Sequence, residues 1–207
     1  MIFSRFKSKT TKTPEAEFWS WFVRNESRLF EFERDLERVF DDLGAAMRKV
    51  NPDLTFEFSP VRDNGRREFV ISAGGIKSAF PAVEALTDAA PDLDRWQWIR
   101  FRPRRNEVTD ITFEGQTIPH DEVHYLLAKD GEKVGLVLFF DGYTEARRGF
   151  FGNVGYLYLD QSLGEYSVEM QVGFIEFQSR ESDYYAQARP LRELQEHFDE
   201  YWARTSH

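Results

Sequence analysis

A chain of 207 residues with no cysteine and a net charge of −9 suits one large domain or two small ones. It excludes disulfides, thiolate metal sites and cysteine nucleophiles. Twenty Phe, eight Tyr and five Trp supply ring area for a sizeable core without covalent staples. Absent cysteine fits a reducing compartment, and no apolar run approaches the roughly 18 residues that cross a bilayer. The expectation is a cytoplasmic protein with no signal peptide.

Residues 1–13 read as a disordered basic arm. Arg5, Lys7, Lys9 and Lys12 alternate there with Met1, Ile2, Phe3 and Phe6 and with no acid, a composition that allows contact with a membrane surface through residues 1–12. The rest of the chain then carries −13, which disfavours nucleic acid and favours a basic protein partner.

Residues 14–207 read as a single α+β domain. Apolar residues from Phe18 to Val50 recur at three- and four-residue steps and fail once, at Asn25. The pattern predicts a short helix to Arg24 and a longer one from Ser27 to Lys49, capped by Asn25 or Ser27 and ended by Asn51-Pro52. Leu54–Phe58 and Glu68–Ala73 alternate as strands around an Asp63-Asn64-Gly65 turn. A helix over Ile76–Ala90 follows, with Ser78 as its cap and Pro81 in its first turn. Trp96–Arg102 is the next strand, and Val108–Phe113 reads as its antiparallel neighbour.

The second half repeats this order. His120–Lys129 and Lys133–Asp141 form a hairpin about Asp130-Gly131, and Val134–Phe140 is apolar on both faces, as a central strand is. Thr144 caps a helix to Leu163, Gly164 ends it, and Ser167–Gln178 reads as one long strand. Pro190 starts a last helix. Two hairpin–helix–strand (ββαβ) units, 54–102 and 120–178, thus predict a two-layer sandwich. Its largely antiparallel sheet has seven or eight strands, and N- and C-terminal helices complete the cover.

Four groups of residues carry possible chemistry. On a strand, His120, Glu122 and His124 share a face, where two imidazoles and a carboxylate could meet a divalent ion; a solvated polar face is the simpler reading. Asp160, Glu165 and Glu169 surround one helix–strand corner and could hold a cation or serve as acid and base, or accept hydrogen bonds from loop N–H groups. Gly149, Gly152 and Gly155 in one helix imply close packing against the sheet, a partly looped segment, or a phosphate cradle that lacks the usual Lys-Ser/Thr. Trp96, Trp98, Arg100 and Arg102 alternate onto one strand face, with Arg104 and Arg105 beyond and Arg62, Arg66 and Arg67 on the neighbouring hairpin. Such a face can bind an anionic ligand or form cation–π pairs under a helix. With four His in the chain, no Ser/His/Asp triad assembles with specificity.

The stretch Leu159–Glu169 continuing into Val172-Gly173-Phe174-Ile175-Glu176-Phe177, with Phe18–Glu26, Phe69–Gly74 and Ala89-Ala90-Pro91, resembles a group of uncharacterised bacterial proteins. The likeness covers most of residues 15–180. It implies a bacterial intracellular α+β protein and transfers no catalytic residue. The functional expectation is a non-catalytic protein-binding module of the immunity or regulatory kind, without a cofactor. The alternatives are a binder of a small anion in a pocket between the repeats and a metal-assisted hydrolase built on Asp160, Glu165 and Glu169.

Overall fold

The computed structural model describes residues 12–205 and is an α+β protein. The expected basic arm lies outside the described residues up to its last two positions. The described residues divide into two compact units, one ending at Arg100 and the other beginning at Phe101.

In the first unit, Thr13 opens helix α1 (Pro14–Phe30): its hydroxyl accepts the Ala16 N–H at 3.3 Å, and Pro14 and Glu15 fill the first turn. The helix runs through Asn25, contrary to the expected break. There the Asn25 amide donates to the Trp21 carbonyl one turn back, at 2.8 Å, and so is satisfied inside the helix. The break comes later, at a 3-10 turn (Phe32–Arg34) ahead of helix α2 (Leu36–Arg48). That turn lets Phe32 pack on Phe40 and Phe58.

Strands β1 (Thr55–Phe58) and β2 (Arg67–Ser72) pair antiparallel. Helix α3 (Phe80–Asp88) begins after a 3-10 turn at Lys77–Ala79, so its cap is Ala79 rather than Ser78. Strand β3 (Trp96–Arg100) then pairs parallel with β2. Rings from α1 fill the helix-covered face: Phe22 lies edge-on to Trp96 and Trp98 at 5.0 and 5.4 Å and stacks on Phe69 at 5.5 Å.

One cation is sealed into this unit. The Arg67 side chain is 2% exposed, donates to the Ser59 carbonyl and to Glu33 at 2.8 and 2.7 Å, and lies 4.4 Å over the Phe32 ring. Burial works against the Glu33 charge, yet the hydrogen bond from Arg67 and the guanidinium charge hold its carboxyl below the usual value.

In the second unit, β4 (Ile111–Phe113) and β5 (Gln116–Ile118) make a two-stranded hairpin, so Val108–Phe113 is not a neighbour of β3. Glu114 and Gly115 both take positive φ there, as a tight hairpin turn requires. A four-stranded sheet follows in the order β8-β7-β6-β9, from β6 (His124–Asp130), β7 (Lys133–Phe140), β8 (Val172–Ser179) and the short β9 (Arg189–Pro190). The β6–β7 pair is antiparallel and β7–β8 is parallel. Helix α4 (Arg148–Leu163) connects β7 to a shorter helix α5 (Glu165–Gln171) that leads into β8, and α6 (Leu194–Thr205) closes the chain. α4 is preceded by a 3-10 turn at Glu145–Arg147, which displaces its cap from Thr144 to Arg147.

Two larger expectations are also corrected. The strands form sheets of three, two and four rather than one of seven or eight: the β4–β5 hairpin pairs with itself, and β9 takes the free edge of β6. The long strand over 167–178 is half helix, because Glu165, Val168 and Val172 recur at three- and four-residue steps and are all buried. The glycine-rich helix packs closely at one point: a Cβ on Gly155 would stand 2.2 Å from the Phe177 ring, whereas Gly149 faces open space.

Replacing Arg67 with Ala should cost roughly 2–4 kcal/mol in urea unfolding, since it empties a buried, ring-lined position and orphans the Ser59 carbonyl. Glu33→Gln keeps an acceptor at a half-exposed position and should cost about 1 kcal/mol or less. Equal losses would contradict this assignment. The Glu33 contribution is full above the ordinary Glu value and fades as pH falls through the lowered one.

Candidate functional site

Beside the glycines of α4, the other three of the four sequence-derived groups are dispersed or engaged. Trp96 and Trp98 stack on each other at 5.8 Å within the core of the first unit, and their indole N–H groups donate to Glu26 and the Pro91 carbonyl at 2.9 and 2.8 Å. Trp96 is buried, and the half-buried Trp98 also packs on Trp19 and Phe22 at 4.7 and 5.4 Å. Arg100 pairs with Asp88, Arg62 with Glu68, and Arg66 donates to the Trp96 carbonyl. Alternation stops at Phe101, whose φ of 62° turns the chain, and Arg102 lies in the second unit with its guanidinium 3.6 Å from Asp160. Arg104 is bidentate on Asp199. The expected arginine face is therefore a set of separate ion pairs.

His120, Glu122 and His124 do not share a strand face. Pro119 is followed by a 3-10 turn over His120–Glu122, and the strand begins only at His124. The His124 ring packs edge-on to Tyr185 at 5.3 Å, and His120 turns to Asp110. Among the described residues no group of three or more His, Cys, Asp or Glu side chains stands ready to hold a metal ion.

Asp160, Glu165 and Glu169 lie on two helices and not at a strand start. Glu165 is fully buried: its carboxyl accepts the Arg102 N–H at 3.0 Å, while its own N–H donates to the Arg102 carbonyl at 3.0 Å. One turn back, the Gln161 side-chain oxygen accepts from the Thr109 N–H and hydroxyl at 2.9 and 3.2 Å, and its carbonyl accepts the Arg105 N–H at 2.7 Å. Gly164, at φ 78°, allows the approach, because a Cβ there would meet the Arg104 nitrogen at 2.9 Å and the Arg102 oxygen at 3.1 Å.

This pinning shapes a cleft of about 560 Å³ within the second unit, a volume suited to a small molecule. Its walls come from the 106–110 segment, His120, Ser162 on α4, and Leu191, Arg192 and Gln195 at the start of α6. Asp110 accepts the His120 N–H at 2.9 Å and meets the ring Nδ1 at 2.7 Å. The backbone donor first, and the ring second, hold the Asp110 carboxyl below its usual value. Beneath them Tyr158 accepts the Ile111 N–H at 3.2 Å and donates to the Ile118 carbonyl at 2.5 Å; burial pushes its hydroxyl up to about 12. Ser162 is 1% exposed, and its hydroxyl meets no hydrogen-bond partner among the described residues. Arg192 and Glu107 are exposed at the cleft, and neither forms an ion pair among the described residues.

Sequence reasoning missed this cleft. Its one local signal was the Glu114-Gly115 turn, whose register sets Ile111 opposite Ile118 and thus carries Asp110 to His120. No family model, no curated protein and no solved structure matches the chain.

Glu165→Leu should speed hydrogen exchange at the Arg102 amide and lower stability by roughly 1–3 kcal/mol, the cost of a buried donor without an acceptor; unchanged exchange would refute the pinning role. The Asp110 carboxyl, followed by carbon NMR, should titrate below the ordinary value of about 3.9. Its link to His120 is present above that value and is lost as pH falls through the depressed one. An ordinary midpoint would contradict the bond.

Proposed function

We propose that the chain is a non-catalytic binding module that holds a small ligand, through an anionic group, in the cleft of the second unit. The observation that supports this reading is Arg192: a guanidinium at a concave site, without an ion-pair partner among the described residues, beside the donor-capable His120 and Ser162. A guanidinium fork matches carboxylate or phosphate oxygens in pairs. The protein-partner reading rests on the acidic net charge, the wealth of aromatic residues and the lack of a coherent catalytic constellation in the sequence, and the hydrolase reading on a corner whose buried acid serves the backbone of Arg102.

Two broader expectations accompany this proposal. In support of one ββαβ design for both units, the second hairpin strand in each pairs parallel with the strand that follows the intervening helical segment. The protein is cytoplasmic, in keeping with its lack of cysteine; among the described residues, no helix is long and apolar enough to cross a membrane.

Titration of the full chain with acetate, succinate and phosphate, followed by amide NMR, should move the signals of 106–110 and 192–195 in a saturable way for at least one anion. Arg192→Ala should weaken that binding about tenfold or more and leave the remaining spectrum in place. Cleft signals unmoved up to about 10 mM by all three, and by any other carboxylate-bearing small molecule, would overturn the reading.

A further inference from the structure

A plain anion meets a difficulty in this cleft. Glu107 and Asp110 line it together with Arg192. Asp110 is engaged by His120 and Glu107 has no ion-pair partner among the described residues. A ligand bearing only negative charge would gain at Arg192 and lose at the carboxylates. A metal cation would face the reverse problem, with the guanidinium against it. A cleft that offers one unpaired charge of each sign is complementary to a ligand that carries both.

We infer that the cleft takes a small zwitterion, a free α-amino acid or the like, with its carboxylate on Arg192 and its ammonium on Glu107. This rests on the binding reading proposed above and names its ligand class. The two side chains line the same cleft without pairing to each other, so a ligand can bridge them without breaking an existing ion pair. Ser162 supplies an independent observation. The residue lines the cleft, and its hydroxyl, almost wholly buried, has no hydrogen-bond partner among the described residues. An orphaned buried hydroxyl is costly, and it can donate to a carboxylate or accept from an ammonium. Gln195, also on the lining, can add either kind of bond. Leu191, buried at 1% exposure, gives an apolar contact for a side chain.

The test is calorimetric titration of the full chain with the standard L-amino acids one by one, then with the N-acetyl and α-amide forms of any that bind. N-acetylation removes the positive charge, and amidation removes the negative one. The free amino acid should bind about tenfold or more tightly than either derivative. Glu107→Gln should weaken the free amino acid, tighten the N-acetyl form by relieving its repulsion and so bring the two affinities together, whereas Arg192→Ala should weaken both. Both positions are exposed, so an unchanged amide spectrum shows that each variant remains folded. An N-acetyl form that binds as well as the free amino acid would overturn the zwitterion and leave the anion reading standing. An amide that binds as well as the free amino acid would overturn both, as would no binding by any compound together with unmoved cleft signals in the anion titration.

Discussion

Glu165 and Gln161 bind the backbone of residues 102–109 to the corner between α4 and α5, and the cleft depends on that attachment. The segment has no sheet partner, so its N–H groups need acceptors elsewhere. The Gln161 and Glu165 side chains and the Gln161 carbonyl, on either side of the corner, provide them, and Gly164 between leaves room for the backbone to lie close. A methyl group at residue 164 would collide with main-chain atoms, which cannot move aside as a flexible side chain can. The polar corner thus acts as a mould. It orients Glu107 and Asp110 before any ligand arrives, and preorganised charges lose less entropy on binding than mobile ones.

The same logic separates buried acids that build a site from those that perform chemistry. Glu165 is the most buried acid of the three at the corner, and burial of a carboxyl often marks a catalytic group. Here the carboxyl accepts the Arg102 N–H while the Glu165 N–H donates to the Arg102 carbonyl, so the acid serves to hold backbone geometry. Arg67 does the equivalent in the first unit. Its guanidinium, sealed between Phe30 and Phe32 and tied to Glu33 and the Ser59 carbonyl, fixes the 3-10 turn to the start of β2. A cation so enclosed is a structural tie.

Much of the fold was legible because its signals are local. The spacing of Phe18, Phe22 and Leu29 marked the buried face of α1, Asp130-Gly131 marked the β6–β7 hairpin, and the uniform apolarity of 134–140 marked a strand covered on both sides. The errors fall where two periods compete. Val168, Met170, Val172 and Phe174 alternate as a strand would, and Glu165, Val168 and Val172 recur as a helix would; burial of Glu165, an acid that pattern reading assigns to the surface, decided for the helix. The site was less legible than the fold. The Asp110–His120 contact depends on a three-residue hairpin register, and the approach of Arg192 to Glu107 across one cleft depends on where α6 packs, which no spacing rule encodes. Trp96 and Trp98 misled for the opposite reason. Alternation placed them correctly on one face, but only the rings of α1 show that this face is interior.

Net charge bears on the ligand as well as on the partner. At −9, the long-range field of the chain repels anions and lowers their local concentration, an effect that acts before any contact with Arg192 is made. A zwitterion has no net charge and feels that field only as a weak torque on its dipole. Its affinity comes instead from two short-range contacts of opposite sign inside a cleft, where solvent screening is reduced. An acidic protein that displays a cation beside two carboxylates, with one carboxylate tied to a histidine and the other not, is poorly built to attract a free anion from a distance and well suited to orient a dipolar one on arrival.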